Sequence, residues 1–272
     1  MMLASTCGMA RPPCGPTVPQ AHPNRRLGCY GRPSTRAVHT HARPDSDAER
    51  AADPLRAAVL DAYAAEAGSY DSRWPAYTRE TLDFTLAALP QQLPPDAVVL
   101  DIGCGTGTAL AALLARPEVE QRLGTYLGLD PSANMLAVAQ RRTFSGRVPD
   151  LRWLCAPGDS APLPVADASV DLVLCCSCLH FISAPAVCIS EMQRVLKPGG
   201  TLLLGDWCAD YLTVRLIVAA MRLSRTPTND VLTASQLRQL VATAGPGLEV
   251  EALRTARLDK VWGFMAIHAR KS

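Results

Sequence analysis

The sequence predicts an α/β protein built on a doubly wound, seven-stranded sheet that is mostly parallel and ends in an antiparallel C-terminal edge hairpin. From Val98 onward, short runs rich in Val, Ile and Leu alternate with longer helical stretches, a pattern typical of βαβ units. Two closely spaced strand-like runs, LEVEALRTARL and KVWGFMAIHAR, then close the chain. Such a pair forms an antiparallel edge on an otherwise parallel sheet.

The elements follow in order along three parts of the chain: a leader over residues 1–44, an N-terminal helical lid segment over 45–96, and the sheet domain over 97–272. Helices are predicted over 54–67 and 76–89, and the prolines of LPQQLPPD end the second helix. In the sheet domain, strands are predicted near 97–102, 125–129, 151–155, 170–177 and 200–205. Helices are predicted near 107–116, 132–142, 186–196, 210–223 and 234–243.

The leader has the composition of a targeting segment. Residues 1–44 contain six arginines and no Asp or Glu, and they lack the continuous apolar core of a secretory signal. This composition is typical of a disordered organelle transit peptide, and the many prolines favour the plastid over the mitochondrion. The alternative is a disordered tail without a targeting role. The rest of the chain carries 21 basic and 25 acidic side chains, which argues against nucleic acid as a partner.

Cysteine spacing and hydropathy exclude further classes. No CxxC pair is followed by a second CxxC or by two histidines, so the ten cysteines predict reduced thiols and no metal site. A membrane-spanning helix needs about 20 consecutive apolar residues. The best run, YLTVRLIVAAMRL over 211–223, is shorter and contains Arg215.

The run VVLDIGCGTGTAL, residues 98–110, contains an unusual glycine pattern. Gly103, Gly105 and Gly107 follow the acid Asp101, which stands in an apolar run, between a predicted strand and a predicted helix. Glycine permits positive φ and has no Cβ, so a ligand can approach the backbone of such a turn. Free N–H groups at the start of the helix suit an anionic ligand group. The spacing is not the dinucleotide fingerprint G-x-G-x-x-G, because its third glycine position falls on Thr108.

Acids follow the next two strands. Asp130, at the end of the second strand, is placed to accept hydrogen bonds from both hydroxyls of a ribose, or to cap the helix after it. Asp159, after the third strand, is placed to accept a hydrogen bond from an adenine amine, or to form an Asx turn. Asp171 opens the fourth strand and is interpreted as structural. The sequence RVLKPGG, residues 194–200, then leads a helix into the fifth strand.

Together, these pieces resemble the class I S-adenosylmethionine-dependent methyltransferases, over about residues 70–271. The closer resemblance is to the methyltransferase type 11 branch that includes the ubiquinone and menaquinone C-methyltransferases. It implies a Rossmann-like fold, S-adenosyl-L-methionine as cofactor, and transfer of a methyl group to a small acceptor. It assigns the cofactor to Asp101, Gly103, Gly105, Gly107, Asp130, Asp159, Ser160 and Cys176. In YDSRWPAYT it makes Tyr70, Arg73 and Trp74 lid residues, with Trp74 toward the acceptor; helix packing is the alternative for Tyr70 and Trp74.

Methyl transfer is a direct in-line displacement, so it requires no metal and no covalent intermediate. His180, just after the fourth strand, is the candidate base for an acceptor proton, and a packing role is its alternative. Asp206 and Trp207 follow the fifth strand on the same rim and are candidate acceptor-pocket residues. The apolar run 211–223 suits a lipophilic or aromatic acceptor met at a membrane surface, although a core helix gives the same pattern. The rival functions are a catalytically silent S-adenosylmethionine-binding protein and a nicotinamide-dependent oxidoreductase.

Overall fold

A computed structural model describes residues 52–224 and 226–272, and the predicted leader lies outside these residues. The strands are β1 (Ala97–Ile102), β2 (Leu123–Asp130), β3 (Asp150–Cys155), β4 (Val170–Cys176), β5 (Leu196–Trp207), β6 (Leu248–Leu258) and β7 (Trp262–Lys271). The helices are α1 (Pro54–Glu66), α2 (Tyr70–Arg73), α3 (Pro75–Leu86), α4 (Thr108–Leu114), α5 (Pro117–Glu120), α6 (Ala133–Arg141), α7 (Pro185–Val195), α8 (Leu212–Leu223) and α9 (Ala234–Ala244). A 3-10 turn covers Leu179–Phe181.

The strands form one seven-stranded sheet in the order β3-β2-β1-β4-β5-β7-β6. The pairs among β1 to β5 are parallel, whereas β7 runs antiparallel to both β5 and β6. The predicted fold class is therefore confirmed, and β6 rather than β7 forms the edge. The strand order reverses direction between β1 and β4, so this is the topological switch point at which open α/β sheets bind ligands.

Both faces of the central strands are covered by helices, which explains why these strands are almost continuously apolar. Alternate side chains of β1 enter different layers: Leu100 and Ile102 pack with Ile189 and Met192 of α7, whereas Val99 packs with Leu110 and Leu113 of α4. All of these side chains are almost completely buried. The rigid layers fix the positions of the strand ends, and hence of the side chains that follow them.

Helix α3 packs directly on the sheet. Its Leu82 and Leu86 belong to the same core layer as Val99 and Leu203. A Cβ on Gly205 of β5 would lie 2.1 Å from Oγ1 of Thr85, so a glycine is needed where α3 crosses this strand. The described part of the predicted lid segment 45–96 therefore includes one helix, α3, that belongs to the layer packed on the sheet. Helices α1 and α2 precede α3 in the chain.

Helix α8 has two apolar faces. Val214 and Val218 are buried against the layer that contains Trp207 and Phe264. On the outer face, Leu212, Leu216 and Leu223 are 67%, 62% and 89% exposed. Because these leucines are four and seven residues apart, they form one stripe along the helix. In residues 52–224 and 226–272, every helix is too short or too polar to span a bilayer.

Candidate functional site

A cavity lies at the carboxyl ends of β1, β2 and β4, beneath α1, α2 and α3; we call it the main cavity. The sheet side of its wall contains Asp101, Gly103, Gly105, Asp130, Asp159, Cys176, Ser177 and Cys178. The helical side contains Arg56, Val59, Leu60, Tyr63, Tyr70, Tyr77, Thr81 and Leu82. The structure thus brings most of the predicted cofactor residues together at the switch point of the sheet.

The three glycines of the turn have φ values of 74°, 52° and 79° and occupy the left-handed region. They differ in what a side chain would meet. A Cβ on Gly103 would lie 2.5 Å from Sγ of Cys178, and one on Gly107 would lie 3.0 Å from the ring of Trp153. A Cβ on Gly105 would have no atom within 4 Å. Gly105 therefore faces open space, whereas Gly103 makes room for a neighbouring side chain and Gly107 does not line the main cavity.

Asp101 is 2% exposed, and Oδ2 accepts a hydrogen bond of 2.5 Å from the hydroxyl of Tyr126 on β2. Burial raises the pKa of this carboxyl to about 7, although the bond from Tyr126 opposes the shift and Asp130 adds to it.

Asp130 organises the glycine turn. Its Oδ2 accepts a hydrogen bond of 2.9 Å from the backbone N–H of Gly105, and Oδ1 accepts one of 2.8 Å from the N–H of Ser132. The cap of α6 is Ser132, not Asp130. A carboxylate has about four acceptor positions, so two remain for the hydroxyls of a ligand. Burial raises the pKa of Asp130 to about 6.

Asp159 and Ser160 have different surroundings. Oδ2 of Asp159 accepts a hydrogen bond of 2.9 Å from the N–H of Ala184, so this carboxylate also holds the start of α7, and it lines the main cavity. Ser160 does not line the cavity, and its backbone N–H donates to the carbonyl of Pro157. Cys176 lines the cavity, and burial raises the pKa of its thiol to about 12, so the thiol is neutral near pH 7.

Aromatic side chains form a part of the wall in which sequence reasoning identified Tyr70 alone. Tyr63, Tyr70, Tyr77 and Phe181 all line the main cavity, and the ring of Tyr63 lies 5.9 Å from Tyr70 and 5.4 Å from Phe181. Burial raises the pKa of all three tyrosines above the usual range, so their hydroxyls remain neutral. The three tyrosines lie on three different helices, α1, α2 and α3, so their spacing of seven residues along the chain gave no direct signal.

The helical wall is tied to the glycine turn. The hydroxyl of Thr106, between Gly105 and Gly107, donates a hydrogen bond of 2.6 Å to Asp71 of α2. Arg142 forms an ion pair with the same Asp71, and its Nε donates to the carbonyl of Thr106 at 2.8 Å. We call Asp71, Thr106 and Arg142 the latch. It ties α2 to the glycine turn.

Two predicted lid residues lie outside the main cavity. Arg73 pairs with Glu66 at 3.2 Å on the protein surface, and Trp74 packs against Tyr77 with 6.3 Å between ring centroids. Tyr70 is thus the one of the three predicted lid residues whose side chain lines the cavity. Residues that are close together on a helix point in different directions, and a match to a sequence motif does not show which of them faces the cavity.

His180, Asp206 and Trp207 lie together, but around a different cavity. This second cavity, of about 290 Å³, is lined by Leu179, His180, Pro185, Asp206, Trp207, Asn229, Asp230, Val231, Leu232 and Met265. Nδ1 of His180 lies 2.5 Å from Oδ1 of Asp206, and the ring stacks on Trp207 with 4.1 Å between centroids. His180 and Phe181 are consecutive residues that line different cavities, so the two cavities share a wall.

The main cavity fits S-adenosyl-L-methionine by the chemistry of its wall. Asp101 and Asp130 are buried, and neither forms an ion pair with Lys or Arg in the part of the chain that the structure describes. A cationic ligand with a ribose would meet both needs, and Gly105 leaves the space for it. The described residues contain no group of three or more His, Cys, Asp or Glu arranged to hold a metal ion.

Comparison with known proteins gives the family. A methyltransferase domain model matches residues 100–204. The demethylmenaquinone methyltransferase of Renibacterium salmoninarum is 31% identical in an alignment 192 positions long, which covers 63% of this chain and 76% of that protein. The malonyl-[acyl-carrier protein] O-methyltransferase of Marinomonas sp. is 38% identical over 132 residues, 48% of this chain. Two curated relatives are matched over only 33% and 45% of their own lengths.

A solved structure agrees in fold. The SAM-dependent methyltransferase of Thermotoga maritima superposes with a TM-score of 0.61 at 18% identity, over 80% of this chain and all of that one. The sheet order, the glycine turn at its switch point and the match to the Renibacterium enzyme lead to one conclusion. The chain belongs to the class I S-adenosylmethionine-dependent methyltransferases, with S-adenosyl-L-methionine as its cofactor.

Proposed function

We propose that this protein binds S-adenosyl-L-methionine in the main cavity and transfers its methyl group to a small lipophilic or aromatic acceptor by direct in-line displacement. The observation that carries the proposal is the open space at Gly105, between two buried carboxyls that lack a cationic partner in the described residues. A nicotinamide-dependent oxidoreductase is not favoured, because the family match is to methyltransferases.

Each part of the wall has a role in this proposal. The unused acceptor positions of Asp130 face the ribose, and Asp159 faces the adenine. Asp101 compensates the positive charge of the amino acid part, and Cys176 and Ser177 line the wall beside the sulfonium. When bound, the cofactor supplies a methyl group already activated by its positive sulfur.

The chain itself binds, orients and excludes water. Tyr63, Tyr70 and Tyr77 cover the cavity with neutral rings, and aromatic faces attract a cation. The latch keeps α2 against the glycine turn, so water is kept from the ligand while it is held. Because the displacement needs alignment more than acid or base strength, this enclosure is the main contribution of the N-terminal helices.

A lipophilic acceptor is supported by the outer face of α8. Its three exposed leucines follow Asp206 and Trp207 along the chain, and the opposite face of the helix packs with Trp207. Arg215 lies on the same exposed side of α8, which suits an anionic lipid surface. We propose peripheral contact with a membrane through this face.

The test uses the full chain and two cofactors. Calorimetry should show binding of S-adenosyl-L-methionine and no binding of a nicotinamide dinucleotide. Incubation of the protein and labelled S-adenosyl-L-methionine with an extract of the native organism should then give a labelled small molecule, identified by its mass. Binding without any labelled product across the extract fractions would indicate a catalytically silent binding protein instead.

A further inference from the structure

Two thiols meet where β4 ends. Sγ of Cys175 lies 3.2 Å from Sγ of Cys178, and both cysteines are free. In a strand that simply continued, side chains three residues apart would point to opposite faces of the sheet. Here the chain turns after Cys176, because Ser177 has a φ of 57° and occupies the left-handed region. This turn brings the side chain of Cys178 back against that of Cys175.

Cys178 also contacts the start of the glycine turn. Its Sγ donates a hydrogen bond of 3.1 Å to the carbonyl of Ile102, the last residue of β1. The same sulfur occupies the space beside Gly103, where an added Cβ would lie 2.5 Å from it. Cys178 therefore supports the chain at the point where β1 passes into the turn, and a chemical change at this sulfur alters that support.

The two thiols differ in how a small molecule reaches them. Cys175 is completely buried, whereas Cys178 is half-buried and lines the main cavity. A reagent in that cavity therefore meets Cys178 first. The hydrogen bond between the thiols lowers the pKa of Cys175 and raises that of Cys178, and burial raises both, that of Cys175 to about 11. Little thiolate is present near pH 7, so a reaction at Cys178 should be slow there and faster at higher pH.

We propose that Cys178 is an oxidation site for peroxides that enter the main cavity, and that Cys175 completes the modification by forming a disulfide with it. Hydrogen peroxide transfers one oxygen atom to the sulfur of Cys178, which gives a sulfenic acid and one water. The thiol of Cys175 then attacks this sulfur. The S–S bond forms as the S–O bond breaks, and the hydroxyl leaves with the proton of Cys175 as a second water. The pair loses two electrons, which the peroxide gains.

The geometry favours the disulfide over further oxidation. An S–S bond is about 2.04 Å long, so the two sulfurs have to approach by only about 1 Å. Because the fold holds both thiols together, the second step is intramolecular and fast compared with attack by another peroxide.

The disulfide also affects the glycine turn. A disulfide sulfur has no hydrogen to donate, so the carbonyl of Ile102 loses its bond from Cys178. The sulfur that fills the space beside Gly103 moves toward Cys175 at the same time. We therefore expect the oxidised protein to bind its ligand more weakly than the reduced protein does.

The test is mass mapping of the full chain after treatment with hydrogen peroxide at pH 8. We expect loss of two hydrogens, a Cys175–Cys178 disulfide located by fragmentation, and reversal by dithiothreitol. Cys175→Ser should instead leave a sulfenic acid on Cys178 that dimedone traps. Cys178→Ser should leave Cys175 unoxidised, since Cys175 is not exposed. Cys188→Ser, at another completely buried thiol, is the control and should form the disulfide at the normal rate. If a variant of the pair does not fold, the map of the unmodified chain decides the question.

Ligand binding gives a second readout. In calorimetry, the oxidised chain should bind S-adenosylhomocysteine about tenfold more weakly than the reduced chain, as expected for a lost hydrogen bond, and dithiothreitol should restore the affinity. Saturation with S-adenosylhomocysteine before the peroxide is added should slow disulfide formation, because the ligand blocks the path to Cys178. This readout rests on the proposed function, whereas the mass map does not.

The outcomes separate the two proposals. Oxidation that spares Cys175 and Cys178, or an oxidised chain that binds S-adenosylhomocysteine as tightly as the reduced one, overturns this inference and leaves the proposed function intact. Failure of the reduced chain to bind S-adenosylhomocysteine overturns the proposed function, and the mass map still decides whether the pair is oxidised.

Discussion

The hydroxyl of Tyr126 on β2 donates a hydrogen bond of 2.5 Å to Oδ2 of Asp101 on the neighbouring strand, below the glycine turn. This is the one side-chain hydrogen bond to Asp101 among the described residues, and burial raises the pKa of its carboxyl to about 7. The ionised form is therefore unfavourable until a positive ligand arrives. The raised pKa of Asp101 therefore links the stability of the protein and its affinity for the cofactor to pH.

Asp101→Asn should stabilise the protein without ligand and weaken cofactor binding. The folded pKa of about 7 lies above the unfolded value of 3.8, so this carboxyl contributes stability below pH 4 that is lost as pH rises toward 7. At pH 8, the variant should exceed the unmodified chain by about 2–4 kcal/mol in free energy of unfolding, measured by urea denaturation.

The same carboxyl should make cofactor binding depend on pH. A cationic ligand favours ionised Asp101 and Asp130, so affinity should rise between pH 5 and 8 and binding should release protons. Calorimetry in two buffers of different ionisation enthalpy detects that release. Asp171→Asn is the control, since this acid contacts Val98 and Lys197 away from the cavity. Binding without proton release would contradict the assignment of both carboxyls.

Gly105→Val should abolish cofactor binding, because its side chain would occupy the open space above the turn. Gly199→Val is a matched control: Gly199 also has positive φ, at 76°, and open space around it, but it lies outside the main cavity. Both variants should lose similar thermal stability. Calorimetry should find cofactor affinity lost in the first and kept in the second, and equal affinities would place the ligand elsewhere.

Asp130→Ala should weaken cofactor binding by about 1.5–3 kcal/mol, the range for hydrogen bonds to a charged group. Asp130→Ala also removes the acceptor for the backbone N–H of Gly105, so part of the lost affinity comes from the turn itself. Asp130→Asn is therefore measured beside Asp130→Ala. The measurement is calorimetry with S-adenosylhomocysteine and with a cofactor fragment that lacks the ribose. If both ligands lose the same affinity, Asp130 acts through the turn alone.

Asp71→Ala should speed cofactor release, because it breaks the latch between α2 and the glycine turn. We expect about tenfold weaker binding, mostly from faster dissociation in stopped-flow fluorescence. The loss in stability should stay below about 1 kcal/mol, as is usual for partly exposed ion pairs. Glu66→Gln removes the Arg73 pair of the same segment and should leave dissociation unchanged.

Replacing Leu212, Leu216 and Leu223 together by Ser should abolish co-sedimentation with vesicles of mixed neutral and anionic phospholipid. The apolar stripe supplies the area buried in the interface, and Arg215 supplies salt-sensitive attraction. Val187→Ser, at an exposed apolar site of α7, is the control and should bind vesicles normally. An unmodified chain that stays in the supernatant would refute membrane contact by this face.

Periodicity predicted the fold well because it reports local structure. The strands, the helices after them and the terminal hairpin lie within a few residues of their predicted positions, and Asp130, the last residue of β2, lines the main cavity. Spacing along the chain does not show packing between distant residues. Gly103 lines the main cavity and also makes room for Cys178, whereas Gly107 packs against Trp153 and Arg73 pairs with Glu66, both outside that cavity.

The site was predicted less completely for the same reason. His180, Asp206 and Trp207 line the second cavity and not the main one. Their place depends on the direction in which each side chain points after β4 or β5. It also depends on residues 229–232, which form another part of the wall of the second cavity. Tyr63 and Tyr77 lie on different helices from Tyr70, so their place in the wall follows only from how α1 and α3 lie over the sheet.

The two halves of the main cavity come from separate stretches of chain. Asp101, Gly105 and Asp130 lie on the sheet, whereas Tyr63, Tyr70 and Tyr77 precede the first strand. The carboxyl groups that hold the ligand and the aromatic rings that enclose it are thus encoded in separate stretches of sequence. Substitutions in the aromatic stretch can therefore change how tightly the cavity is closed while the hydrogen-bonding groups of the sheet stay the same.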